Sequence, residues 1–126
     1  SGYELELDEI ELHPFLPQEC FEANSIAEFY KKLKDQDEQM ARRVHEANEN
    51  GNRLRLIASY RKNKAKVALE AVGPKDPSYH LEGSDNFVAL TTERYNVNPM
   101  VIKGQGAGAE VTAGEVFADI IRLGRQ

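Results

Sequence analysis

Alternating apolar and polar residues predict a β-hairpin in the middle of the chain. The alternation runs over 54–60, stops at the polar stretch 61–64 and resumes over 65–71, which is the pattern of two antiparallel strands joined by a turn. One face of this hairpin is apolar, and we expect the other, charged face to be solvated, with a phosphate-binding patch as the alternative. The charged face carries Arg53, Arg55, Lys66 and Glu70.

Apolar residues spaced three and four apart predict three helices. The first begins at the polar pair 24–25, where Glu28 can complete a capping box with the serine. The second covers about 35–50 and ends at an Asn-Gly-Asn stop, with acidic residues near its start that complement the helix dipole. The third is C-terminal and begins either near Ala109 or, with a capping box, at Thr112.

Three further stretches predict strands. The first covers 4–16, and its alternation slips at 8–9, which indicates a bend; its acidic residues suggest either a solvated face or a metal site. The second, 87–95, is rich in β-forming residues on both faces and is predicted to be central. The third is 100–103. These elements predict an α+β fold: a mostly antiparallel, mixed β-sheet with helices packed on one face, ending in a glycine turn and a C-terminal helix.

A glycine-rich turn containing Gly104, Gly106 and Gly108 joins the last strand to the last helix. Glycine lets a ligand approach the backbone, and a helix start offers unpaired N–H groups and partial positive charge, so this turn can hold an anion or a cofactor. Its spacing, G-x-G-x-G, differs from the dinucleotide fingerprint G-x-G-x-x-G, and a purely structural turn is the alternative. Gly114, inside the helix, indicates close packing against another backbone.

The composition restricts the classes of function. The chain has 126 residues, 40% apolar and 29% charged, which is enough for one ordinary domain. The net charge of −5 argues against nucleic acid or an anionic membrane as a partner, and no apolar run approaches the length of a membrane span. A single cysteine, Cys20, suits a reducing compartment, so we expect a cytoplasmic protein. Because no metal-ligand spacing, nucleophile elbow or acid–base pair is recognisable, no catalytic residue and no metal ligand is assigned.

Four segments carry a resemblance to a known family. The run PMVIKGQGAGAEVTAGEVFADIIRL, in which GQGAGAEVTAGEVFAD is the most specific part, closely resembles the C-terminal end of homoserine dehydrogenases. The resemblance continues backwards through GSDNFVALTTERY and NRLRLIASY to SGYELELDEIELHPFLP, and it is strongest to bifunctional aspartokinase–homoserine dehydrogenases. Such enzymes interconvert aspartate 4-semialdehyde and homoserine with NADPH or NADH, in the pathway to threonine and methionine.

The resemblance implies part of an enzyme. The Rossmann glycine motif, the substrate-binding carboxylates and the catalytic lysines of such enzymes are absent from this chain, so we expect a C-terminal fragment that is inactive alone. Residues 1–103 would be part of the catalytic and dimerisation domain. Residues 104–126 would be the glycine turn and a helix that returns to the nucleotide-binding domain. Gly2 would cap a helix that lies upstream.

Of the family's binding residues, only the glycine turn can be transferred to this sequence. Gly108 best matches a glycine that touches the nicotinamide cofactor, NADP or NAD, with Gly106 and Ala107 as neighbours. We expect a small-molecule substrate in the full enzyme, and a homodimer or higher homo-oligomer because the elements leave apolar surface uncovered. The alternative function is a free-standing dimerisation or ligand-binding module without catalysis.

Overall fold

Helices and strands occur together in two units of the chain, which confirms the predicted α+β class. The computed structural model describes residues 4–125, and the units divide after Tyr79; the cap predicted at Gly2 lies outside the described residues. The predicted division between residues 103 and 104 separates the chain by expected role, not by compactness, and it stays a prediction. In the first unit, a 3₁₀ turn (Leu7–Glu9) precedes β1 (Glu11–Leu12), α1 (Gln18–Phe21), α2 (Ile26–Lys34), α3 (Asp37–Glu49), β2 (Arg53–Arg61) and β3 (Lys64–Val72). The second unit contains β4 (Asp85–Leu90), β5 (Met100–Gln105) and α4 (Ala109–Leu123).

The predicted hairpin is confirmed as an antiparallel ladder of β2 and β3, each nine residues long. Its register places Arg53 opposite Val72 and continues without interruption to the turn. The two turn residues, Lys62 and Asn63, have φ angles of 49° and 61°. Two consecutive left-handed residues form the kind of turn that matches the twist of the strands. β1 pairs in parallel with the other side of β3, so the strand order is β1-β3-β2.

The charged face of this hairpin is the more buried one, and part of the apolar face is exposed, contrary to our expectation. Ala68, on the charged face, is 6% exposed, and Arg43 of α3 lines the same small cavity as Ala68 and Lys66. Leu56 and Tyr60, on the apolar face, are 56% and 42% exposed. The prediction of a solvated charged face is therefore wrong. Small residues alternate with the long charged ones on that face, so a helix can approach it while the charged ends reach outward.

Two arginines of the charged face hold the loop that follows β3. Arg55 Nε donates to the Ser78 carbonyl at 2.8 Å, and Arg55 Nη2 donates to the Tyr79 carbonyl at 2.9 Å. The Arg53 guanidinium lies over the Tyr79 ring, 4.7 Å from its centroid. Ser78 is fully buried, and its N–H and hydroxyl donate to Asp76 Oδ1 at 2.8 and 2.6 Å. These contacts explain the arginines structurally and argue against the phosphate-binding alternative.

The strand predicted over 4–16 is largely replaced by irregular structure. The 3₁₀ turn occupies the point where the alternation slips, and only β1 is paired. The Glu6 N–H donates to Glu9 Oε2 at 2.8 Å. The Glu11 carboxylate is hydrogen-bonded to the His13 ring, and this hydrogen bond is the main cause of the lowered pKa of Glu11. These acidic side chains thus form local caps and pairs. Within 4–125, no three potential metal ligands come together.

Both predicted internal helices are confirmed, and α1, which has four residues, was too short for a periodic pattern to reveal. At the start of α2, Ser25 Oγ accepts the Glu28 N–H at 3.2 Å. The Glu28 carboxylate accepts the Asn24 N–H at 2.9 Å, so the capping box reaches one residue further back than predicted. Glu28 also pairs with Lys32 at 2.8 Å, and this contact is the main cause of the lowered pKa of Glu28.

The strand predicted over 87–95 is shorter and less central than expected. β4 ends at Leu90 and pairs with β5 in a two-stranded antiparallel sheet, and the chain beyond it forms bends and turns until Met100. Val88 is 54% exposed. The face of β4 that carries Val88 and Leu90 therefore lacks the cover that a central strand would have in the described part of the chain, whereas Phe87 on the other face is half-buried.

Ser25→Ala should destabilise the first unit. The substitution removes the acceptor for the Glu28 N–H, and loss of an N-cap oxygen costs about 1 kcal/mol of unfolding free energy. Urea unfolding of the chain, followed by circular dichroism, measures this change. Ser25→Asp keeps an acceptor oxygen and should remain within about 0.5 kcal/mol of the parent. An alanine variant as stable as the aspartate variant would contradict the capping role.

Candidate functional site

The glycine turn connects β5 to α4, as predicted. α4 begins at Ala109 with Gly108 as its N-cap residue, and β5 ends just before Gly106. Gly106, Ala107 and Gly108, the residues predicted to bind the cofactor, are therefore the whole link, and all three are exposed. The helix start near Ala109 is confirmed. Thr112 lies inside the helix, since its N–H donates to the Gly108 carbonyl at 3.0 Å.

The glycine at position 108 is explained by its backbone conformation. Its φ and ψ are 140° and 150°, a region that residues with a Cβ rarely adopt. A Cβ built at Gly108 would meet no atom within 4 Å, so the space beside it is open. Gly108 thus combines a conformation that favours glycine with an unobstructed backbone. Both the structural interpretation and ligand contact are compatible with this geometry.

The glycine at position 106 is explained by a neighbouring side chain instead. A Cβ built at Gly106 would collide with the carboxamide of Asn86 in β4 and would lie 3.0 Å from the Asn86 Cβ. The Gly106 N–H donates to the Ser84 carbonyl at 2.8 Å, so the backbone is held to the start of β4 as well. The sequence pattern did not indicate a role for Asn86. The signal that could have revealed it is the pairing of β4 with β5, which places Asn86 opposite Gly104.

Charges near the turn are balanced rather than basic. Lys103 of β5 pairs with Asp85 of β4 at 2.9 Å, and Glu110 lies in the first turn of α4. A carboxylate at that position offsets part of the positive end of the helix dipole. The free N–H groups of the first helical turn remain available as donors. The turn is therefore suited to backbone contacts with a ligand more than to attraction of an anion by net charge.

α4 presents an uncovered apolar groove that starts at the glycine turn. The groove is lined by Gly108, Ala109, Thr112, Ala113, Val116, Phe117 and Ile120. Phe117 is 63% exposed, and Ile120 is 59% exposed. A Cβ at Gly114 would meet nothing within 4 Å, so the close packing predicted there is not made by the described residues. No helix within 4–125 has the length and apolar composition needed to cross a membrane.

Comparison with known proteins identifies the family. The model of the homoserine dehydrogenase family matches residues 1–121. The chain is 42% identical over 125 residues to the chloroplastic bifunctional aspartokinase/homoserine dehydrogenase of Daucus carota, covering 98% of this chain and 14% of that protein. It is 40% identical over 124 residues to bifunctional aspartokinase/homoserine dehydrogenase 2 of Escherichia coli K12, covering 98% of this chain and 15% of that protein.

A solved structure supports the same assignment of fold. A Candida auris protein, described as of unknown function, has a TM-score of 0.74 and 35% identity to this chain, covering 94% of it and 34% of the Candida chain. The chain thus spans only about one seventh of the curated relatives it matches, whose coverage is 14 to 15%. Since the family match extends over nearly all of its residues, the chain belongs to the homoserine dehydrogenase family.

Proposed function

We propose that this chain is the C-terminal part of the dehydrogenase portion of a bifunctional aspartokinase/homoserine dehydrogenase. The whole enzyme would interconvert aspartate 4-semialdehyde and homoserine with NADP or NAD, in threonine and methionine biosynthesis. The observation that carries the proposal is the family match over residues 1–121, together with relatives that are 36 to 42% identical over 98% of the chain. The match includes the glycine turn.

We infer that the glycine turn contacts the nicotinamide cofactor through its backbone. Gly108 supports this role because a Cβ there would meet no atom within 4 Å, so a ligand can approach its backbone closely. Gly106 and Ala107 precede it in the same exposed link. The cofactor would supply hydride transfer, while these residues would help to place it. Catalytic groups would come from parts of the enzyme outside this chain, in which we assign none.

A homodimer is the second part of the proposal, and the apolar face of the β2–β3 hairpin supports it. This face consists of four cross-strand pairs: Leu54 with Ala71, Leu56 with Leu69, Ala58 with Val67, and Tyr60 with Ala65. Leu56 and Tyr60 are among its exposed members. A flat apolar sheet face is suited to a two-fold contact with its own copy. The same face would serve a free-standing dimerisation module, which is the alternative function.

The chain alone should not oxidise homoserine. It lacks the G-x-G-x-x-G motif of a nucleotide-binding domain, so no complete hydride-transfer site can form. The measurement is cofactor reduction by the purified 126-residue chain with homoserine and either NADP or NAD. The full dehydrogenase that carries this chain is the positive control. Turnover by the chain alone would refute the assignment as a partial enzyme.

Gly108→Ala should lower both stability and cofactor affinity. A φ of 140° is unfavourable for alanine, and such strain costs about 1 to 3 kcal/mol. If the turn contacts the cofactor, the distorted backbone or the added Cβ methyl group should also raise KM for the nicotinamide cofactor in the full dehydrogenase. Gly104→Ala is the matched control for stability, because a Cβ there meets nothing within 4 Å and its φ is not positive. A lower melting temperature with an unchanged cofactor dissociation constant would remove Gly108 from the site.

The purified chain should self-associate through the apolar hairpin face. Sedimentation at a chain concentration of tens of micromolar should show a dimer, because an interface of ordinary size has a dissociation constant of roughly that value or lower. Leu56→Asp places a charge on this face and should shift the chain to monomer, because burying an unpaired carboxylate is costly. Leu7→Asp is the matched control, since Leu7 is 85% exposed and lies outside the sheet. A strictly monomeric parent, or equal effects of the two substitutions, would exclude this interface.

A further inference from the structure

The side chain of Asn86 fills the space that a side chain at Gly106 would need. Asn86 lies opposite Gly104 in the β4–β5 ladder, and Gly106 follows two residues later on the same face. The carboxamide of Asn86 extends along this face towards Gly106 and leaves the space beside Gly104 open. A Cβ at Gly104 would meet nothing within 4 Å, whereas a Cβ at Gly106 would collide with that carboxamide.

The backbone at Gly106 is therefore held by two independent contacts from the start of β4. Its N–H donates to the Ser84 carbonyl at 2.8 Å, and the Asn86 carboxamide occupies the space that a Cβ at position 106 would take. On the other face of the ladder, Asp85 and Lys103 form an ion pair at 2.9 Å. The β4–β5 ladder thus restrains Gly106, the first residue of the turn. Gly108, the last residue of the turn, is restricted by its φ of 140°.

We propose that Asn86 is a positioning residue, whose side-chain shape holds the turn Gly106–Gly108 in the conformation that accepts the nicotinamide cofactor. This inference rests on the proposed function of the turn. Asn86 is exposed, and within the described residues its carboxamide makes no hydrogen bond, so its effect on Gly106 is one of packing. Asn86 acts through the backbone of the turn and not by chemistry of its own.

Substitutions at the two positions, made singly and together, test the packing. Gly106→Ala introduces a Cβ that the Asn86 carboxamide occludes, so the variant must displace either the turn or Asn86. Adding Asn86→Ala to Gly106→Ala makes room for that Cβ. The double variant should therefore recover part of the protection of the amide at position 106 that Gly106→Ala lost. Asn86→Leu is the conservative control, because leucine keeps the branching of asparagine at Cγ and removes its polar groups.

The first measurement is amide hydrogen exchange of Gly106 in the 126-residue chain, observed by NMR. Asn86→Ala should speed exchange of the Gly106 N–H by about fivefold or more, whereas Asn86→Leu should leave it near the parent rate. In the double variant Asn86→Ala/Gly106→Ala, the amide at 106 should exchange more slowly than in Gly106→Ala alone. Additive effects of the two alanines would overturn the packing argument.

The second measurement is the kinetics of the same variants in the full dehydrogenase. Asn86→Ala should raise KM for the nicotinamide cofactor about tenfold and leave kcat within about twofold, since it misplaces a binding element without touching reacting groups. Asn86→Leu should retain the parent KM. An Asn86→Leu variant as impaired as Asn86→Ala would show a polar contact with the ligand and overturn the positioning role.

The outcomes separate this inference from the proposed function. If Gly108→Ala raises KM for the cofactor and Asn86→Ala does not, the turn binds cofactor but Asn86 does not position it. If neither substitution changes KM although Asn86→Ala speeds exchange at Gly106, the packing is real and the cofactor role of the turn is wrong.

Discussion

The antiparallel ladder between β2 and β3 is the constraint on which the first unit depends. Side chains alternate between the two faces of a strand, so the register assigns every residue of both strands to one face. Arg55 lies opposite Glu70, and Leu56 lies opposite Leu69. A slip by one residue would exchange the faces of one strand and carry Arg55 away from the carbonyls that it binds in the following loop. The ladder therefore sets both the packing of the helices and the end of the unit at Tyr79.

The β4–β5 ladder plays the corresponding part in the second unit. By placing Asn86 on the same face as Gly106, it lets one side chain reach the turn and hold it from the strand side. Two glycines in that turn are thus required for unlike reasons. Gly106 needs space, and Gly108 needs a left-handed φ. A site made of backbone groups depends on such constraints, because it has no functional side chain that could be adjusted by a change of rotamer.

The sequence was most informative where a pattern was long or a turn chemically distinctive. The hairpin, α2 with its Ser25 cap, α3, and the glycine turn before α4 were all predictable, because periodicity and capping are local properties. The cover on each hairpin face was not, because it depends on which side the helices approach. The residue pattern over 87–95 also misled, since β propensity on both faces indicates burial only if covering elements exist. The role of Asn86 depends on cross-strand register, which no local pattern specifies.

The strand order β1-β3-β2 leaves β2 at the edge of its sheet in the described part of the chain. An edge strand of nine residues carries a row of backbone donors and acceptors that point away from the ladder. The edge is a second surface, separate from the apolar face, through which two copies of the chain can pair. Arg53, Arg55 and Arg61 are spaced along that strand, and repulsion between like charges discourages pairing of two such edges. At high ionic strength, where this repulsion is screened, pairing between two such edges becomes less unfavourable.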